Sequence, residues 1–241
     1  MNLAAEKIAN IAGLPVTNSF FSALLVSMLL VIAGYIFSRN VKEVPGKFQN
    51  LVEFVIEFLF NTAKETVGDE ERTKEFFPLI ATFFLFILFC NWAGLLPIFN
   101  TIGFFSSFTG EKFTPLLRPI NSDLNATLSL ALISAIATQY YAIKHVGIMA
   151  HLKRYFSINP LNLFIGLLEL LSEFTKIISL SFRLFGNIIA GDMVISTFTS
   201  FIGILVPLPF MGLEVIVGIV QAAVFAMLSL AFTSILTQKL H

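Results

Sequence analysis

Charge is what this sequence has least of. Only 12% of its 241 residues are Asp, Glu, Lys or Arg, where a soluble domain carries about a quarter. That shortage excludes an ordinary soluble domain. Cysteine is nearly absent: Cys90 stands alone inside an apolar run, which rules out an intrachain disulfide and leaves no metal-ligand spacing. Internal repeats, low-complexity tracts and lipidation motifs are missing. The opening stretch MNLAAEKIANIAGLPVTN holds one Lys and no compact apolar core, unlike a cleaved signal peptide. Positive and negative charges cancel, so the overall balance selects no partner.

What is there is hydrophobic: 56% of the chain, in continuous runs. Several runs reach the roughly 20 residues that cross a bilayer as helix. They do not alternate as the strands of a membrane β-barrel would. We expect an all-α polytopic membrane protein with about five to six transmembrane helices, a single membrane domain over residues 1–241. Spans are expected near 19–38, 77–97, 123–143, 161–205 and 213–237, with Asp123 as a cap and Asn159 and Pro160 opening the fourth. Between residues 47 and 66, Leu51, Phe54, Val55, Phe58 and Leu59 recur at helical steps among Glu53, Glu57 and Lys64. This predicts an amphipathic helix lying at the interface. GDEERTK (68–74) reads as a hydrated turn, KHVGIMAHLKRYFS as a basic connector and VPLPFMG (206–212) as the last turn. The run from 161 to 205 has no proline and would extend about 65 Å as helix, twice the hydrocarbon thickness. It is either two spans with a tight turn or one strongly tilted helix.

Lysine and arginine orient the chain. Arg39, Lys42, Lys47, Lys64, Arg72, Lys74, Lys144, Lys153, Arg154 and Lys239 fall on one side of a five-span topology, and only Lys7, Lys112 and Arg118 on the other. The positive-inside rule then puts the N-terminus outside and the C-terminus in the cytoplasm.

The fourth run carries its own charges. Taking Arg183 as zero at 100° per residue, Lys176 falls at +20°, Asn187 and Glu169 at +40° and Glu173 at +80°. Glu169, Glu173 and Lys176 can pair along the helix. Arg183 is seven residues beyond Lys176 with no acid between, so its partner is expected off its own helix. A charge at the bilayer centre costs at least about 2.5–3.5 kcal/mol, and Arg cannot shed its proton. Either Arg183 faces a carboxylate of another helix or subunit for a functional reason, or it makes a structural ion pair. Asp192 lies on the opposite face of this run, and Glu214, Gly218 and Gln221 share a face of the last one. Carboxyls removed from water can load and release protons. Glu214 is also readable as a helix N-terminal acid favoured by the macrodipole, and Gln221 as an interhelical hydrogen-bonding group. Gly186, Gly191 and Gly218 would let helices approach closely. His145, His151 and His241 fall in connectors or at the terminus, which assigns them to the surface.

SLSFRLFGNIIAGD (179–192) resembles the signature of subunit a of F-type ATP synthases, the static proton-channel subunit beside a rotating c-ring. FPLIATFFLFILFCNWAGLLP, INSDLNATLSLAL, GKFQNLVEFVIEF and EVIVGIVQAAVFAMLSLAF resemble successive segments of that family, in order. The resemblance implies two long, strongly tilted helices and gives Arg183 the part of the essential arginine. Asn187, Asp192, Glu214 and Gln221 match proton-pathway positions. Acids at both Asp192 and Glu214 depart from members that pair an acid with a histidine. Asp192 and Glu214 would line the entry half-channel, and Glu169, Glu173 and Lys176 would assist the exit. The implied partners are the c-ring, the subunit b peripheral stalk, the remaining ATP synthase subunits and the lipid bilayer of a bacterial inner membrane. No cofactor, metal or nucleic acid is implied, and the chain itself would perform no covalent chemistry. The rivals are a secondary transporter whose intramembrane arginine binds an anionic substrate, an intramembrane protease and an assembly protein. The first lacks a repeat, the second lacks a histidine in a span, and the third would tolerate loss of Arg183.

Overall fold

The computed structural model describes residues 7–11, 14–96, 98–99, 101–106, 112–155, 160–202 and 207–238. A hairpin of β1 (Lys7–Ile11) and β2 (Leu14–Thr17) leads into helix α1 (Asn18–Arg39). Thr17 caps α1 by accepting from the N–H of Phe20 at 3.3 Å. Helix α2 (Lys47–Val67) stops at Gly68, whose φ of 75° is the left-handed geometry glycine adopts without strain. Helix α3 (Glu70–Gly94) precedes a second hairpin, β3 (Gly103–Ser106) with β4 (Lys112–Pro115). Helices α4 (Leu124–Val146), α5 (Ile148–Tyr155), α6 (Pro160–Ile202) and α7 (Pro207–Thr237) complete the chain.

The segments read as loops differ most from expectation. GDEERTK is not a turn throughout: Asp69 caps α3 by accepting from the N–H of Glu71, and Glu70–Lys74 are already helical. Their charges stay at the surface, with Glu70 held by Lys64 at 2.6 Å and Lys74 at 2.8 Å. The basic connector ends α4 and then forms α5. The expected last turn is largely helix from Pro207, because prolines in a first turn lack only N–H groups that have no helical acceptor. The cap assigned to Asn159 lies outside the described residues, and Pro160 opens α6. Asp123 caps α4 through the N–H of Asn125 at 3.0 Å.

Among the described residues, four helices are long and apolar enough to cross a membrane: α1, α3, α4 and α7 from Leu208. Helix α6 is of another kind. Of the two alternatives for the long run, the chain forms one helix of 43 residues. At 1.5 Å per residue it extends about 65 Å, so a bilayer of about 30 Å accommodates it only tilted or with an end outside.

Helices α3, α4, α6 and α7 form the bundle. Phe83, Phe84 and Ile87 of α3, Ala131 of α4, Leu180 and Leu184 of α6, and Phe225 and Leu230 of α7 build one core. Small polar residues tie the helices across it: Thr127 to Ser181 at 3.1 Å, Ser134 to Ser229 at 2.7 Å and Thr138 to Thr233 at 3.0 Å. Helix α2 packs on α3 and α7. Its apolar face is divided: Leu59 enters the core, while Leu51, Phe54 and Phe58 stay exposed.

The contacts define two ends. At one, Ser19 of α1 donates to Asp123, the N–H of Arg118 donates to Ser22, and Asn91 near the end of α3 donates to the carbonyl of Gly218 in α7. At the other, Lys144 at the end of α4 meets Glu75 near the start of α3 at 2.7 Å, and α5 lies against α6.

Phe225 is fully buried and meets Phe83 edge-on, ring centroids 5.6 Å apart. Phe225→Ala is expected to destabilise the protein by about 3–5 kcal/mol, and Ser134→Ala by only about 0.6 kcal/mol. Thermal unfolding of the native protein in detergent checks the ranking.

Candidate functional site

Arg183 lies near the middle of α6, its neighbours Leu180 and Leu184 turned into the core. Its own side chain is exposed, and among the described residues no acid lies within ion-pair distance of it. It opens onto a cleft of about 240 Å³ lined also by Ser172, Thr175, Lys176, Ser179 and Phe232. Lys176 sits 2.6 Å from Glu173 Oε1 and 4.4 Å above the centre of the Phe232 ring, so its charge is held between α6 and α7.

Glu169 does not join that pair. It meets Arg154 of α5 at 2.5 Å, a partner that spacing along one helix could not reveal. The cause is a close crossing at Gly166, where an added Cβ would overlap the backbone carbonyls of Arg154 and Tyr155. The crossing sets Arg154 beside Glu169, one turn further along α6.

The same crossing corrects the surface assignment of His151. His151 is only 6% exposed. Its Nε2 donates to Gln139 Oε1 of α4 at 2.7 Å, and Gln139 Nε2 donates in turn to Glu173 Oε2 at 3.5 Å. Burial and the Arg154 charge push the His151 pKa below the ordinary 6.5, against the pull of Glu169 and Glu173. His145 is half-buried beside Glu75 at 3.1 Å, and His241 lies outside the described residues.

The other residues singled out gather at the opposite end. Asn187 donates to Gln221 Oε1 at 2.8 Å, joining α6 to α7. Glu214 is 6% exposed, and its Oε2 has no hydrogen-bond partner among the described residues. It lies a full two turns inside α7, beyond the first turn in which the macrodipole acts, so a helix N-terminal role does not account for it. Its carboxyl rests against Gly191, where α6 has no side chain. Asp192 is an electrostatic neighbour of Glu214, and Arg118 of Asp192. Gly218 takes Asn91 and Trp92 against it, but Gly186 faces open space and serves no close approach.

Sequence reasoning singled out neither Asn91 nor Asn121, and used Arg118 only to orient the chain. Asn121 donates to Asn91 Oδ1 at 2.6 Å, Asn91 donates to the Gly218 carbonyl at 3.2 Å, and the Trp92 indole N–H reaches the Val215 carbonyl at 3.4 Å. A lone asparagine in the apolar run FLFILFCNWAG was the available signal.

The result is a fixed positive charge between two polar clusters. Asp192 lies nine residues from Arg183 and Glu173 ten, about 14 and 15 Å along the helix axis. Groups of this kind can pass protons from either end toward the middle of the bundle.

A protein-family model described as ATP synthase A chain matches residues 19–234, from the start of α1 to near the end of α7.

The two crossing glycines predict different failures. At Gly191 an added Cβ meets only the far end of the Glu214 side chain, and at Gly166 it meets backbone. Gly191→Ala is expected to leave the protein assembled while slowing proton transport. Gly166→Ala is expected to part α5 from α6 and lower assembly itself. Recovery from detergent and acidification of vesicles separate the two effects.

Proposed function

We propose, since the chain belongs to the ATP synthase A chain family and is a proton-translocating subunit of that complex's membrane sector, that Arg183 is the fixed charge separating two proton half-channels. Residues 1–241 act as one multi-pass membrane domain in a bacterial inner membrane, N-terminus outside and C-terminus cytoplasmic. The exposed face of α6 lies against the ring of subunit c, and subunit b holds the chain as part of the stator.

Protons enter through Asp192 and Glu214, with Asn187 and Gln221 bridging α6 and α7 beside them. They pass to a carboxylate of subunit c, and the ring turns. As a carboxylate comes opposite Arg183, the guanidinium favours its ionised form. The released proton leaves past Lys176, Glu173 and Glu169 at the end carrying α5. Arg183 repels protons and other cations, so a proton cannot cross from one half-channel to the other without the ring. ATP chemistry belongs to other subunits.

The observation that carries this reading is the position of Arg183: exposed on α6, without an acid of its own among the described residues, between two acid-bearing clusters at opposite ends. Vesicles containing the assembled complex with Arg183→Ala provide the test. ATP-driven acidification is expected to vanish with assembly intact. Passive proton leak after the soluble head is stripped is expected to persist or rise. Normal pumping would return Arg183 to a structural role.

A further inference from the structure

Helix α5 has no part in the half-channel reading, yet it delivers a buried histidine to within one side chain of Glu173. His151 is only 6% exposed, shielded by α4 and α6. Its Nε2 is committed to Gln139, and Nδ1 is buried with no hydrogen-bond partner among the described residues. Charged and titratable groups face it from two elements: Arg154 and Tyr155 of α5, and Glu169 and Glu173 of α6. Helix α4 contributes the neutral Gln139.

The hydrogen bonds run in one direction. Neutral His151 donates through Nε2–H, so the Gln139 amide presents its oxygen to the ring and its NH₂ to Glu173 Oε2. Glu173 Oε1 is left for Lys176. A second proton on the ring turns Nδ1 into a buried donor without an acceptor and sets a cation beside Arg154. Both effects are unfavourable in a shielded site. The nearest relief is a carboxylate, and drawing Glu169 or Glu173 toward the ring breaks the Arg154 pair or the Gln139 link.

We propose that His151 is a pH-sensitive positioning residue for the exit half-channel: while neutral it holds the Glu173 carboxylate in place through Gln139, and its protonation withdraws that carboxylate and slows proton passage. This rests on Glu173 lying on the proton pathway. Because burial and Arg154 keep the His151 pKa below 6.5, the neutral, conducting arrangement holds at neutral pH. It is lost as the aqueous phase at the α5 end acidifies through that lowered value.

The test uses the membrane sector of the intact complex in vesicles, soluble head stripped, with proton flux driven by a potassium diffusion potential. The pH on the face that carried the head is varied between about 5 and 8, across the histidine range. The native protein is expected to lose flux with an inflection below pH 6.5. His151→Gln, which keeps an amide donor but cannot titrate, should lose the inflection when each profile is scaled to its own alkaline value. Gln139→Leu should lose it too, by cutting the link. A native profile without the inflection overturns the proposal and needs no variant. An unchanged inflection in His151→Gln overturns it as well. Glu173→Gln separates the premises: native flux at every pH would sink the pathway role of Glu173. An impaired Glu173→Gln beside an unchanged His151→Gln profile sinks only the role of His151.

Discussion

A guanidinium in a membrane protein cannot neutralise itself, and the chain gives Arg183 no acid of its own among the described residues. Most of the architecture can be understood as a response to that. Leu180 and Leu184, on either side of Arg183, are buried against α3, α4 and α7, which leaves the arginine on the outward face of α6. The acids of α6 sit away from it. Glu169 and Glu173 are each neutralised locally, by Arg154 and Lys176, and Asp192 lies beyond on the other face. A carboxylate nearer Arg183 would have satisfied the charge within the chain, and none of the described residues supplies one.

Holding such a helix falls to small residues and small polar groups more than to bulk. At one end Gly191 admits the Glu214 carboxyl, and at the other Gly166 admits the α5 backbone. Between them, the hydroxyl pair of Thr127 and Ser181 ties α6 to α4 without bringing in a charge. The polar clusters therefore sit where helices cross closely, and the intervening layer of Leu180, Leu184, Ala222 and Phe225 is apolar. The chain belongs to the ATP synthase A chain family over residues 19–234.

Much of this was readable from the sequence where one helix tells its own story. Hydrophobic runs mark α1, α3, α4 and α7 because bilayer-length apolar stretches have few alternatives. The 100° spacing that aligned Lys176, Asn187 and Arg183 needs only a continuous helix, and α6 is one. What was not legible lies in contacts between elements. The Glu169–Arg154 pair and the burial of His151 depend on α5 crossing at Gly166, which no periodicity in α6 encodes. Charged residues at 70–74 suggested water and so hid a helix start, although Asp69 is a good capping residue. The two hairpins escaped because their short strands lie outside the long apolar runs. Asn91 was overlooked for a simpler reason: one polar residue hardly alters the hydropathy of a long apolar run.

In the proposed mechanism the two polar clusters open to opposite sides of the membrane and meet only through the ring of subunit c. Cysteine accessibility tests it most directly, since the native Cys90 is buried and leaves the background quiet. Thr175→Cys, in the cleft beside Lys176, and Met193→Cys, beside Asp192, would be exposed to a membrane-impermeant thiol reagent from one side at a time, in sealed vesicles of each orientation. The account predicts that Thr175→Cys reacts only from the side that bears the soluble head and Met193→Cys only from the other. Reaction of both from the same side, or of either from both, would contradict it.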